Sequence, residues 1–141
     1  PEEGLLLLEN VKDRSKNRYF TIKGNLLHNC GGDVDAAGKC WEQAMESDRD
    51  NDVLWINLGN YYLVSKKDYK AAEKHYSEAC KLFPEHEAFY AFLGDSLFFQ
   101  GRFREALEQY QKALSLPETY ENHHQDVKNM VKECEKKISG H

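Results

Sequence analysis

Apolar residues recur every three or four positions along most of this chain, the spacing that gathers them on one side of an α-helix. Trp55, Leu58 and Tyr62 form one such set, and Tyr69, Ala72, Tyr76 and Ala79 form the next. Residues that start or stop helices stand between the sets. Asp33 and Asp68 can accept from the exposed N–H groups of a first turn, whereas Pro84 and Pro117 close the helices before them. The pattern predicts helices at about 17–30, 34–47, 52–65, 69–82, 86–100 and 103–116, arranged as hairpins. A seventh, over 121–138, carries Val127, Met130, Val131, Cys134 and Ile138 on one stripe, with Lys128, Lys132, Glu133, Lys136 and Lys137 largely off it. That stripe reads as a cover for the last hairpin.

The helices repeat. Trp55, Leu58, Gly59 and Tyr62, then Tyr69, Ala72, Tyr76, Ala79 and Pro84, align with Tyr90, Leu93, Gly94 and Leu97, then Phe103, Ala106, Tyr110, Ala113 and Pro117. Ala72 to Ala106, Tyr76 to Tyr110 and Ala79 to Ala113 are each 34 positions, while Gly59 to Gly94 is 35. One extra residue in the turn around 64–68 accounts for the difference. A weaker copy precedes them, with Ala37, Trp41 and Ala44 standing 35 positions before Ala72, Tyr76 and Ala79. Gly59 and Gly94 fall inside helices, where glycine costs about 0.5–1 kcal/mol against alanine. Such a residue is tolerated where a neighbouring helix must approach the backbone closely, and the repeated alanines serve the same packing beside bulky rings.

Trp55-x2-Leu58-Gly59-x2-Tyr62 followed by Ala72-x3-Tyr76 resembles the tetratricopeptide repeat family, whose period is 34 residues. The resemblance spans about 17–118, through repeats at 17–50, 51–85 and 86–118. Residues 1–16 are an N-terminal extension or the end of a preceding helix, and 119–141 a capping helix and tail. It implies an all-α, right-handed superhelical solenoid of about three helix-turn-helix repeats plus the C-terminal cap. It also implies a concave groove, lined by the first helix of each pair, that takes a peptide or helix of another protein. Projected here, the groove positions include Asn25 and His28 (one of two registers for the first repeat), Ile56, Asn57, Asn60 and Leu63, and Phe92, Asp95 and Phe98. Asn25, Asn60 and Asp95 recur at one position, as backbone hydrogen-bonders or as plain solvated polarity. Of the adjacent Phe98 and Phe99, one is core and the other a ligand contact. Part of the family holds acidic chaperone tails with a clamp of two Lys, one Arg and two Asn. Asn25 and Asn57 match the asparagines, but Thr21, Ala88 and Phe92 stand at cation positions, so the resemblance implies no such binding.

Composition narrows the function further. Across 141 residues, 40% are hydrophobic and 30% charged, with mean hydropathy −0.78, and the aromatic content argues against disorder. The net charge of −5 disfavours nucleic acid, since the basic run Lys12, Arg14, Lys16 and Arg18 is short and interrupted by Asp13. The longest apolar run, Leu5–Leu8, is far below the ~20 residues of a membrane span. Cys30, Cys40, Cys80 and Cys134 are widely spaced, as reduced thiols of a cytoplasmic protein would be. No phosphate loop, metal-ligand spacing or nucleophile motif appears, so neither catalysis nor a cofactor is expected. His75 and Glu78 read as an exposed helical pair, and the adjacent His123 and His124 point about 100° apart. The expectation is a scaffold or adaptor that binds another protein. Two alternatives stay open: a domain that assembles with itself through the leucine run, and a non-catalytic targeting segment of a larger protein.

Overall fold

The computed structural model describes residues 33–119 and 121–140. The predicted helix at 17–30, with Asn25 and His28, and the leucine run lie outside them. Six helices follow in order: α1 (Val34–Met45), α2 (Asp52–Asn60, prolonged by a π-helical turn, Tyr61–Ser65), α3 (Tyr69–Leu82), α4 (Glu87–Phe98), α5 (Phe103–Leu114) and α6 (His123–Ser139). No strand occurs among the described residues. The chain divides into two compact units after Ser65, within the second sequence repeat, so α1 and α2 belong to the first unit and α3–α6 to the second.

Helix starts follow local chemistry. Asp33 accepts from the Asp35 N–H at 2.9 Å and Asp68 from the Ala71 N–H at 3.2 Å, as the sequence anticipates. Asn51 caps α2 in the same way, accepting from the Leu54 N–H at 3.3 Å. Lys67 and Gly101 hold equivalent places in their turns, and both take positive φ, 52° and 78°. The extra residue of the second repeat is therefore not in that turn. A π-helical turn holds one residue more than the α-turn it replaces, and the one at Tyr61–Ser65 absorbs the insertion inside the helix.

Small residues meet large rings, as the repeat pattern implies. In the first unit the Tyr61 ring covers Gly38, so closely that a Cβ there would overlap its carbons. It meets Trp41 edge-on, with centroids 6.5 Å apart. In the second unit Ala72, Tyr76 and Ala79 of α3, Phe89 of α4, and Ala106, Tyr110 and Ala113 of α5 are all buried. The Tyr76 ring packs on Phe92 and Phe89, at 5.3 and 6.3 Å. A Cβ on Gly94 would lie 2.7–3.0 Å from carbons of the Tyr110 ring. Gly94→Ala is accordingly expected to lower stability by about 1–3 kcal/mol, since overpacking outweighs any gain in helix propensity. A urea midpoint equal to that of the wild type would show that the ring can move aside.

His75 departs from the sequence reading. It is buried, its ring edge-on to Tyr76 at 5.5 Å, because it lies on the Ala72–Tyr76 side of α3. Helix α6 packs on α5 and α4. Val127 and Cys134 are buried, Met130, Val131 and Ile138 half-buried, and the lysines exposed. Among the described residues no helix is long and apolar enough to cross a membrane.

Candidate partner-binding site

The rotation of α2 is set by its buried side. Leu54, Trp55 and Leu58 point inward. The indole N–H of Trp55 donates to the Arg49 carbonyl at 2.7 Å, and the Arg49 guanidinium lies 5.1 Å from the ring centroid. Ile56, Asn57 and Asn60 are left half-buried on the other side. Asn57 and Asn60, three residues apart on neighbouring turns, open onto a hollow of about 320 Å³. Trp41 of α1 and Tyr61, Val64 and Ser65 of the π-helical turn complete its lining. Val64 is 65% exposed, so the turn offers apolar surface at the hollow's edge.

The Tyr61 wall is backed by carboxylates. The Tyr61 hydroxyl donates to Asp35 Oδ1 at 2.8 Å, and the Tyr62 hydroxyl to Glu42 Oε1 at 3.2 Å. Burial pushes the Tyr61 phenol up to about 12, and the Asp35 hydrogen bond with the charges of Asp35, Glu42 and Asp33 acts in the same direction. The hollow therefore combines amide donors and acceptors with an apolar edge, and carboxylates stand behind its Tyr61 wall.

The second unit spends its predicted site residues differently. Phe92 lies between Tyr76 and the His123 ring, 6.0 Å away on α6. Phe98 is half-buried, edge-on to Phe103 at 5.1 Å, while Phe99 is 54% exposed and stacked on Tyr69 at 5.3 Å. Asp95 is half-buried and engaged within its own unit: Tyr110 donates its hydroxyl to Asp95 Oδ1 at 2.5 Å. Burial raises the Asp95 carboxyl to about 6, against the opposing pull of Tyr110 and His123. Leu63 is buried in the first unit.

A raised carboxyl pKa has a definite sign. The folded state holds the Asp95 proton more tightly than the unfolded chain, whose value is about 3.9. This group's contribution is therefore fully present below about pH 4 and is lost as pH rises through 6. Asn is uncharged throughout and still accepts from Tyr110. Asp95→Asn is thus expected to gain about 2 kcal/mol relative to wild type between pH 4 and pH 8 in urea denaturation. A gain that does not change with pH would remove the explanation.

Sequence reasoning missed the buried polar cluster beside these residues. Glu87, in the first turn of α4, is fully buried. It accepts from the Thr119 N–H at 2.9 Å, and the Nδ1–H of His123 reaches its two oxygens at 2.7 and 2.9 Å. The partners are 32 and 36 positions away, so no local pattern announces them. A second missed feature recurs with the repeat. Tyr90, equivalent to Trp55, donates to the carbonyl of Pro84 six residues earlier at 3.0 Å, with the Lys112 ammonium 5.8 Å from its ring. Aromatics with a polar tip at that position were the available signal. Burial pushes the Cys80 and Cys134 thiols up to about 12 and about 11, so both stay protonated and unreactive at neutral pH.

Helical hairpins whose alanines and glycines receive aromatic rings at a period of about 34 residues define a helical repeat protein. Tetratricopeptide repeat models match residues 31–87 and 63–118, and the chain belongs to that family. It is 35% identical over 66 residues to human and mouse DnaJ homolog subfamily C member 7, a match covering 47% of this chain and 13% of theirs. The chain thus spans about an eighth of the length of the curated relatives it matches. Among solved structures it is similar to the first TPR of Spaghetti (RPAP3) bound to the HSP90 peptide SRMEEVD, with a TM-score of 0.77 and 24% identity over 90% of this chain and 96% of that one. It is also similar to PcrH from Pseudomonas aeruginosa, with a TM-score of 0.76 and 16% identity over 89% and 96% of the two chains. These likenesses agree with the all-helical repeat fold.

Proposed function

We propose that this chain is a protein-interaction module that binds a peptide or helical segment of another protein along the face of α2 bearing Ile56, Asn57 and Asn60. The observation that carries the reading is the hollow in which Asn57 and Asn60 stand together beside Trp41 and Val64. A side-chain amide offers both donors and an acceptor, so two of them on successive turns suit the alternating groups of a peptide backbone. Phe92 and Phe98 of α4 are groove positions of the second unit taken by itself, while Leu63 and Asp95 serve as supports, each within its own unit. Asn25 and His28 remain groove positions implied by the family. The role is binding, not catalysis, and the separated cysteines suit the cytoplasm.

The chain does not take an acidic chaperone tail as the cationic clamp does. Ala88, at one cation position, is fully buried, and Phe92, at another, packs against Tyr76 and His123. Neither supplies a charge-assisted hydrogen bond to a carboxylate.

The test compares wild type with an Asn57→Ala, Asn60→Ala double variant in affinity capture, after confirming equal urea midpoints. Partners held by wild type and lost by the variant are expected. A folded variant that retains every partner would overturn the assignment. Asp95→Ala is unsuited to this purpose because it strips the partner from buried Tyr110.

A further inference from the structure

Between Asp33 and Ser65 the chain carries seven carboxylates, Asp33, Asp35, Glu42, Glu46, Asp48, Asp50 and Asp52, against two cations, Lys39 and Arg49. That surplus of five equals the net charge of the whole protein, so the rest of the chain is balanced and the negative excess belongs to this stretch. Three of the carboxylates stand behind the Tyr61 wall of the hollow, whose described lining is itself uncharged. Asp35 holds the Tyr61 hydroxyl, Glu42 holds that of Tyr62, and both act with Asp33 on the ring that forms one wall. Asp35 and Glu42 are themselves exposed. Glycine at position 38 brings this wall so close to α1, because it lets the ring lie directly on the helix that carries both acids.

We infer that the hollow of the first unit is a specificity pocket for a basic side chain, arginine or lysine, of the bound polypeptide. The inference rests on the proposed peptide-binding role and adds what the partner must present. The residue types each have a use in it. The amide oxygens of Asn57 and Asn60 can accept from a guanidinium or ammonium, and the aliphatic stem can lie along Val64. The carboxylates of Asp35, Glu42 and Asp33 supply the field that favours a cation and repels an acidic segment. This charge preference is the reverse of a cationic clamp: the same fold, with carboxylates behind the pocket wall, selects the opposite kind of peptide. Steering by such a field acts on partner choice and association rate more than on total affinity.

The experiment uses the full chain and a random-sequence peptide display library. Selected peptides are expected to be enriched in Arg or Lys, and replacing that residue by Ala in a resynthesised peptide should weaken binding about tenfold, the worth of one charge-assisted hydrogen bond. Glu42→Gln and Asp35→Asn keep the acceptors for Tyr62 and Tyr61 and so preserve the fold. Each should reduce the Arg-to-Ala discrimination about two- to threefold, the scale of one exposed charge, and raised salt should act in the same direction on wild type. Selection of neutral or acidic peptides that still depend on Asn57 and Asn60 would overturn the basic pocket while leaving the binding face in place. Selection of no peptide at all, or of peptides indifferent to Asn57 and Asn60, would remove the binding face as well. Peptide affinity that rises when Lys12, Arg14, Lys16 and Arg18 are neutralised would assign the hollow to the chain's own basic run and not to a partner.

Discussion

Replacing Glu87 with Ala is expected to cost about 2–4 kcal/mol, because it removes a fully buried acceptor on which two donors converge. The carboxylate is fully buried and accepts from both the Thr119 N–H and the His123 ring. Alanine would leave those two donors without an acceptor and unfasten the start of α6 from α4. A domain of this size has a total stability of about 5–15 kcal/mol, so the variant should be partly unfolded near 37 °C. The urea midpoint reports the loss, and hydrogen exchange over His123–Val127 should quicken most. Glu87→Gln keeps an acceptor in place and should cost less. A paired Glu87→Met, His123→Leu variant should recover only part of the loss, because apolar side chains refill the space while the Thr119 N–H still lacks its acceptor. A Glu87→Ala protein within 1 kcal/mol of wild type would mean that the pair does not hold the cap.

Tyr110→Ala is expected to lose about 3–5 kcal/mol, for two separable reasons. The ring, 1% exposed, fills the space over Gly94, and its hydroxyl satisfies Asp95. Tyr110→Phe isolates the second reason. It keeps the packing but leaves the Asp95 carboxylate without its donor, at a cost of about 1–3 kcal/mol when that group is charged. Because burial already raises Asp95 to about 6, the Phe variant should be nearly neutral at pH 4 and clearly weakened at pH 8. A cost that is the same at both values would place the effect in packing alone.

Much of this fold is legible in the sequence because repeat packing is local. The rule that small residues face rings at fixed offsets locates Ala72, Tyr76, Ala106 and Tyr110, and Gly94 takes the Tyr110 ring as a mid-helix glycine should. Asp33 and Asp68 cap the helices they precede, since a cap and its donor are at most three residues apart. Where the reading falls short, the cause is distance or an unusual backbone. The inserted residue of the second repeat suggests a longer turn, and only a structure shows the helix widening at Tyr61–Ser65 instead. His75 looks like surface by residue type although its spacing puts it on the buried side of α3. Asp95 shares its repeat position with Asn60, yet a hydroxyl 15 residues away decides its role. The candidate site is legible in the same measure. Asn57 and Asn60 emerge as neighbours from helical spacing, whereas Trp41 and the carboxylates behind Tyr61 join them through packing between α1 and α2.

The most direct measurement is a calorimetric titration of the full chain with an acidic heptapeptide that carries no cation, SRMEEVD with its arginine replaced by alanine, at low and physiological salt. If the binding face is built from amides with carboxylates behind it, no saturable heat appears at either ionic strength. Tight, salt-sensitive binding that disappears with Asn57→Ala would contradict that account, because it would mean that an acidic tail is received without the cations such a tail requires.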